Sequence, residues 1–168
     1  KNSNLIFICV GTPNKKNSQE VNLNFVFNAV KEIAKSTKNK KIIITKSTVP
    51  VTTGDQIENL LKKLNKNNFE VVSNPEFLRE GEAIRDFRYP DRIIVGSDNK
   101  NIFKTIKNLY QPLINKGSKF FATSRRGAEL IKYASNAFLA TKITFINELS
   151  NLCEKTNINI EDISLGMG

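Results

Sequence analysis

The chain has 168 residues, 39% of them hydrophobic and 25% charged, which suits one globular domain, or one domain and the start of another. It contains no histidine, which excludes Ser-His-Asp and Cys-His catalysis and His-ligated zinc, and leaves proton transfer to Glu, Asp, Lys or a positioned water. The formal charge of +10 comes from lysines scattered among Asn and Ile, with no aromatic-interleaved patch, so phosphorylated small molecules fit it better than nucleic acid.

In chain order, residues 5–10 form a continuous apolar run, the pattern of a strand buried on both faces of a parallel sheet. The run stops at Gly11, Thr12 and Pro13, and residues 14–20 read as a polar loop. A helix is predicted over 21–36 through Leu23, Val26, Val30 and Ile33. Residues 41–45 are the next strand, ending in Lys46, Ser47 and Thr48. Residues 53–64 read as a helix with Ile57, Leu60, Leu61 and Leu64 on one face. A third strand (69–73) precedes Asn74, Pro75 and Glu76, and a short helix (82–87) leads to a fourth strand at 93–96. A helix over 101–110 and a strand over 118–122 follow.

The last element is the longest. Residues 124–156 contain no Pro, and Ile131, Ala134, Phe138, Phe145, Leu149 and Leu152 recur at helical spacing, which predicts one face buried along the whole run. Ser124 is the expected N-cap. Glu129, Lys132 and Asn136 share a second face.

Strand–helix alternation at this spacing predicts α/β layers around a parallel sheet. Ligands bind such sheets beyond the carboxyl ends of the strands, and three strand ends carry unusual polar or Pro-containing segments that would open onto one edge. Each segment has two readings. Gly11–Pro13 either breaks a strand or passes close to a cofactor. Lys46–Thr48 is either a polar strand end or a place where the Thr48 hydroxyl orients a water or a cofactor amide. Glu76 and Glu80, with Arg79 between them, are either solvated or held in a cleft by Phe77 and Leu78, where desolvation favours a general base. Lys132 and Asn136 are either structurally neutralised, by Glu129 or the loop carboxylates, or aimed at negative charge developing on a substrate oxygen. Cys9 and Cys153 make neither a disulfide framework nor a metal site and are expected to be small core residues. No run is apolar enough to span a membrane and the first residues do not form a signal peptide, so a cytoplasmic protein without a membrane partner is expected.

Four segments, KSTVPV (46–51), SNPEFLREG (73–81), PDRIIVG (90–96) and AELIKYASNAFLATK (128–142), resemble in order the UDP-glucose 6-dehydrogenases of the UDP-glucose/GDP-mannose dehydrogenase family. The resemblance implies the C-terminal half of a Rossmann-like, parallel-sheet NAD domain (1–122), followed by a long helix into an α-helical central dimerisation domain (123–168). It also implies a four-electron oxidation of the sugar's C6 alcohol to a carboxylate with two NAD, through a cysteine-bound thiohemiacetal and thioester. By the same resemblance, Thr48 and Glu80 order water and move protons, Glu76 serves thioester hydrolysis, and Lys132 and Asn136 stabilise the oxyanion. Val10, Gly11, Thr12, Pro13, Asn14, Ser47, Thr48 and Glu80 would face NAD; Glu76, Phe77, Leu78, Arg79, Glu80, Lys132 and Asn136 would contact the UDP-glucose. The family's Gly-rich turn and its catalytic-cysteine segment have no counterpart in this sequence. A chain inactive alone is therefore expected, either a fragment that works with flanking pieces or a non-catalytic remnant that at most binds nucleotide-sugar or dimerises.

Overall fold

The computed structural model describes residues 2–167. Two compact units divide between Lys132 and Tyr133. The first is built on a five-stranded sheet in the order β1 (Leu5–Ile8), β2 (Ile42–Thr45), β3 (Glu70–Ser73), β4 (Arg92–Gly96) and β5 (Lys119–Thr123).

The alternation of these short apolar strands supplies two cores. Ile43 and Val71 face α1 (Asn24–Ser36) and α2 (Thr53–Lys63), which contribute Val26, Val30, Ala34, Ile57 and Leu61. Ile42, Ile44, Val72, Ile93 and Val95 face the opposite way and pack with Ile102, Ile106 and Tyr110 of α4 (Asn101–Ile114). Helical layers therefore cover both faces of the sheet, as the near-continuous apolar runs require. α4 runs past the predicted end at 110 to Ile114, with Pro112 inside its last turn, where the ring removes one helical N–H.

Strands β1, β2 and β3 are parallel, as are β4 and β5, but β3 meets β4 antiparallel through the single pair Ser73–Gly96. The sheet is thus mixed, where the sequence predicted parallel strands throughout. The link between β3 and β4, residues 74–91, carries only the six-residue α3 (Ala83–Arg88), in place of the longer helix that usually crosses between parallel neighbours. At the other end β1 is an edge strand. Phe7 is 38% exposed, so the expectation of burial on both faces does not hold there. Cys9 lies beyond β1 and is exposed, not a core residue, whereas Cys153 is buried as expected.

α5 (Arg125–Thr156) begins where its N-cap was expected: the Ser124 hydroxyl accepts from the Gly127 N–H at 3.0 Å. Gly96 makes room for this start, since a Cβ there would lie 2.5 Å from the Ser124 carbonyl and 2.6 Å from the Ala128 methyl.

The second unit comprises the rest of α5 and α6 (Ile160–Met167), a helix the sequence reading did not identify. Cys153 is its buried residue among the described ones, and its carbonyl accepts from Ile158 N–H, closing the turn between the helices. The stripe predicted to be buried is largely exposed: Phe138, Phe145 and Leu152 are all more than half accessible. Helical periodicity identifies a face that can be buried, but the cover has to come from tertiary structure, and the described residues do not supply it.

Candidate active site

The carboxyl ends of β1, β2 and β3 meet at one edge and are sewn together. The Lys46 and Ser47 N–H groups both donate to Ile8 O, at 2.8 and 3.2 Å, and Asn74 N–H donates to Thr45 O at 2.9 Å. The Ser47 hydroxyl donates to Val10 O (2.6 Å) and the Thr12 hydroxyl to Thr48 O (3.0 Å). The hydroxyl protons of Thr12 and Ser47 are therefore committed to bracing the loops. Val10, Gly11, Thr12, Ser47 and Thr48, together with Glu76, line an open cleft of about 430 Å³. Pro13 and Asn14 lie outside that lining: Pro13 O accepts from Asn22 N–H, and Asn14 pairs with Val21.

The loop after β3 is held from below. Asn74 is fully buried, donates through Nδ2 to Ile94 O at 2.7 Å and accepts from the Tyr110 hydroxyl at 2.5 Å. Burial pushes the Tyr110 phenol up to about 12, so it stays a neutral donor. This anchor turns Glu76 toward α5, where its Oε1 lies 3.3 Å from Lys132 Nζ while its Oε2 accepts from Leu78 N–H at 2.6 Å. Lys132 is 6% exposed and also stands 5.1 Å from the Phe77 ring, whose centroid takes Arg92 at 4.5 Å. Glu76 is thus the carboxylate that neutralises Lys132.

The remaining predicted residues are more dispersed. Leu78 joins the cleft lining and is 38% exposed. Arg79 turns outward to Asp86, donating from its backbone N–H, Nε and Nη2, and the guanidinium and backbone bonds hold the Asp86 carboxyl down to about 2. Glu80 is exposed on the turn that contains Gly81, whose φ of +83° suits glycine. Asn136 is exposed and belongs to the second unit.

Glu129 has a different role from the one weighed for it. It is 3% exposed and accepts from Thr52 N–H and Gly54 N–H, both at 2.7 Å, and from the Ser73 hydroxyl at 3.3 Å. It therefore closes the N-terminus of α2, where a negative charge complements unpaired amides and the helix dipole. Burial pushes its carboxyl above the usual range, against the pull of those three donors. One turn earlier, the Arg125 guanidinium bridges Asp55 (3.1 Å), Asp98 (2.6 Å) and Glu58. These two residues rivet the first turns of α5 to α2, and Lys132 is positioned by that attachment. Nothing local in the sequence distinguishes them from surface charges, because their partners lie about 70 residues away.

A second lysine was overlooked. Lys46 Nζ reaches Asn74 Oδ1 at 3.5 Å and lines the same cleft. Burial pulls its ammonium down to about 8, with the charge of Glu76 opposing and that of Lys132 adding to the fall. Its position directly after a buried strand was the available signal.

Comparison with known proteins agrees with this geometry. Residues 1–114 match the NAD binding domain of the UDP-glucose/GDP-mannose dehydrogenase family, and residues 126–168 match the central domain of the same family. The chain is 47% identical over 169 residues to a UDP-glucose 6-dehydrogenase of Rhizobium meliloti (strain 1021), covering 99% of this chain and 39% of that protein. It is 49% identical over 170 residues to a UDP-glucose 6-dehydrogenase of Rickettsia felis, covering 100% of this chain and 37% of the relative. The structure of a UDP-glucose dehydrogenase from Pyrobaculum islandicum superposes with a TM-score of 0.91 at 32% identity, over 99% of this chain and 39% of that one. The chain thus spans less than two fifths of the length of the curated relatives it matches. Among the described residues no group of His, Cys, Asp and Glu is placed to hold a metal ion, and no helix is long and apolar enough to cross a membrane.

Proposed function

Because this chain belongs to the UDP-glucose/GDP-mannose dehydrogenase family, we propose that it carries part of the active site of an NAD-dependent UDP-glucose 6-dehydrogenase, which oxidises the sugar's C6 alcohol to a carboxylate. The observation that carries the reading is the pairing of Glu76 with the buried Lys132 at 3.3 Å, at the edge where β1, β2 and β3 end. A cleft beyond the carboxyl ends of parallel strands is where open α/β folds take dinucleotides, and about 430 Å³ lies within the usual range of ligand pockets. The backbone of Val10, Gly11 and Thr12, with Ser47 and Thr48, fits the edge of an NAD, which supplies the hydride acceptor. Pro13, Asn14 and Glu80 belong to the same assignment by motif.

In this reading the Lys132 ammonium faces the sugar oxygen on which negative charge develops, a fixed cation in a buried place where it acts more strongly than in water. Glu76, held beside it, receives a proton or orients the water that attacks. Thr48 lines the cleft within reach of such a water. Phe77, Leu78, Arg79 and Glu80 continue the sugar-nucleotide loop, and Asn136 is assigned as the second oxyanion donor from its motif alone. The domain boundary follows the sequence reading, with residues 1–122 in the NAD domain and 123–168 opening the central domain. The exposed Phe138, Phe145 and Leu152 support a homodimer through α5. A cytoplasmic location is consistent with two unpaired cysteines.

The test is NADH formation from UDP-glucose, with the chain alone and with the chain mixed with family segments that supply the Gly-rich turn and the cysteine. Activity in the mixture only, abolished by Lys132→Ala, is expected. Folded segments that stay silent together, or a signal indifferent to Lys132→Ala, would refute the assignment.

A further inference from the structure

Positive charge at the cleft exceeds what its carboxylate neutralises. Lys46 and Glu76 line it, and Glu76, whose field reaches Lys46, is at the same time the ion-pair partner of the buried Lys132 at 3.3 Å, so one negative charge serves two ammoniums. Other ionisable groups nearby do not correct the excess. Asp86 is tied to Arg79, Arg92 stacks on Phe77, and Tyr110 is a neutral phenol; Cys9 stands at the end of β1. A desolvated cation costs free energy unless an anion or several acceptors meet it. Lys132 has Glu76. Among the described residues, Lys46 has a single hydrogen-bond acceptor, Asn74 Oδ1, at the 3.5 Å limit of such a bond, and that oxygen already takes the Tyr110 hydroxyl. An ammonium has three donors, so two are left over on a residue that lines the cleft together with Gly11, Thr48 and Glu76.

We propose that Lys46 is a ligand-binding residue of this cleft, whose ammonium receives an anionic oxygen of the bound ligand, a carboxylate or a phosphate, and so completes the charge balance of the Lys46–Glu76–Lys132 cluster. The inference rests on the reading of the cleft as a dinucleotide and sugar site and adds a residue to it. Geometry favours the role. Lys46 follows the buried strand β2 directly, and its own N–H is bonded to Ile8 O, so the base of the side chain cannot wander. Asn74, the one acceptor, is itself locked by Ile94 O and Tyr110. The cation is therefore pre-placed, and a ligand loses little freedom in organising it.

The experiment titrates the 168-residue chain with inorganic phosphate, glucuronate, neutral glucose and UDP-glucose, followed by NMR shifts of the residue 9–12 and 46–48 amides. Phosphate or glucuronate should bind and glucose should not. Lys46→Met should weaken anion binding about tenfold or more, as expected when a charged hydrogen-bond partner is lost, whereas Lys46→Arg should retain it. Loss confined to glucuronate identifies a carboxylate ligand, and loss confined to phosphate a phosphate one. Binding by the parent chain should also fall as pH rises past about 8, where the Lys46 ammonium discharges; this arm decides the matter by itself if the variants do not fold. The proposal is overturned if the folded parent binds no anion, if Lys46→Met binds as the parent does, or if binding is flat through pH 8. Lys46-dependent binding of the simple anions without binding of UDP-glucose would uphold it and refute the nucleotide-sugar reading instead.

Discussion

Glu129 is the residue whose removal should be felt furthest from its own position. Its carboxylate occupies two backbone donors at the start of α2, Thr52 N–H and Gly54 N–H, each at 2.7 Å, and the Gly54 bond is buried. Glu129→Ala leaves both donors without a partner, in a pocket that a small side chain does not open to water. Each orphaned donor costs about 1–3 kcal/mol, and the Ser73 contact, at 3.3 Å, adds little. Against this, the variant no longer desolvates a carboxylate, a cost that already shows in the raised pKa of Glu129. The net expectation is a loss of about 2–4 kcal/mol. Glu129→Gln offers one carbonyl oxygen to two donors and turns an amide N–H₂ toward the other, so it should lose roughly half as much. The chain has no Trp, so urea unfolding is best followed by far-UV circular dichroism. Amide exchange at Thr52 and Gly54 should accelerate in both variants beyond what the global loss explains. Glu129→Ala unfolding within about 0.5 kcal/mol of the parent, the range of an ordinary surface change, would refute the latch.

Further predictions concern neighbouring features. In the folded chain burial holds Lys46 near 8, against 10.5 for an exposed lysine, so between those values the unfolded chain binds more protons and stability rises with pH. The full penalty, about 3 kcal/mol, is present below pH 8 and absent above pH 10.5; Lys46→Met should recover much of it at pH 7, and a parent–variant difference that does not shrink between pH 8 and 10.5 in urea titrations would contradict this. Gly96→Ala would drive a methyl into the Ser124 carbonyl at 2.5 Å, and a loss of about 2–3 kcal/mol is expected, read as a lower urea midpoint. Thr52 holds a left-handed φ of 80° that suits glycine, so Thr52→Gly should stabilise the chain by up to about 1 kcal/mol in the same assay; destabilisation would mean the strain is not there.

The order of strands and helices as far as α5 and the three strand ends that converge were legible in the sequence, because each is written in local pattern: runs such as 42–45, the spacing of Val26, Val30 and Ile33, and Gly or Pro where a strand stops. The approach of Glu76 to Lys132 was foreseeable only as one of two choices, and the structure takes Glu76 because Glu129 is engaged at α2. What the sequence could not decide is everything that depends on partners distant along the chain. Charge at Lys46, Arg125 or Glu129 looks the same whether solvated or buried, and only folding sets a carboxylate against amides some 75 residues away. The antiparallel pairing of β4 was hidden for a related reason: the link from Ser73 to Arg92 is long enough for either strand direction, and only the folded sheet chooses. The α5 stripe shows the limit from the other side. Its periodicity is plain from residue 131 onward, yet Phe138, Phe145 and Leu152 stay exposed, because a helix can only present an apolar face and burial depends on what packs against it.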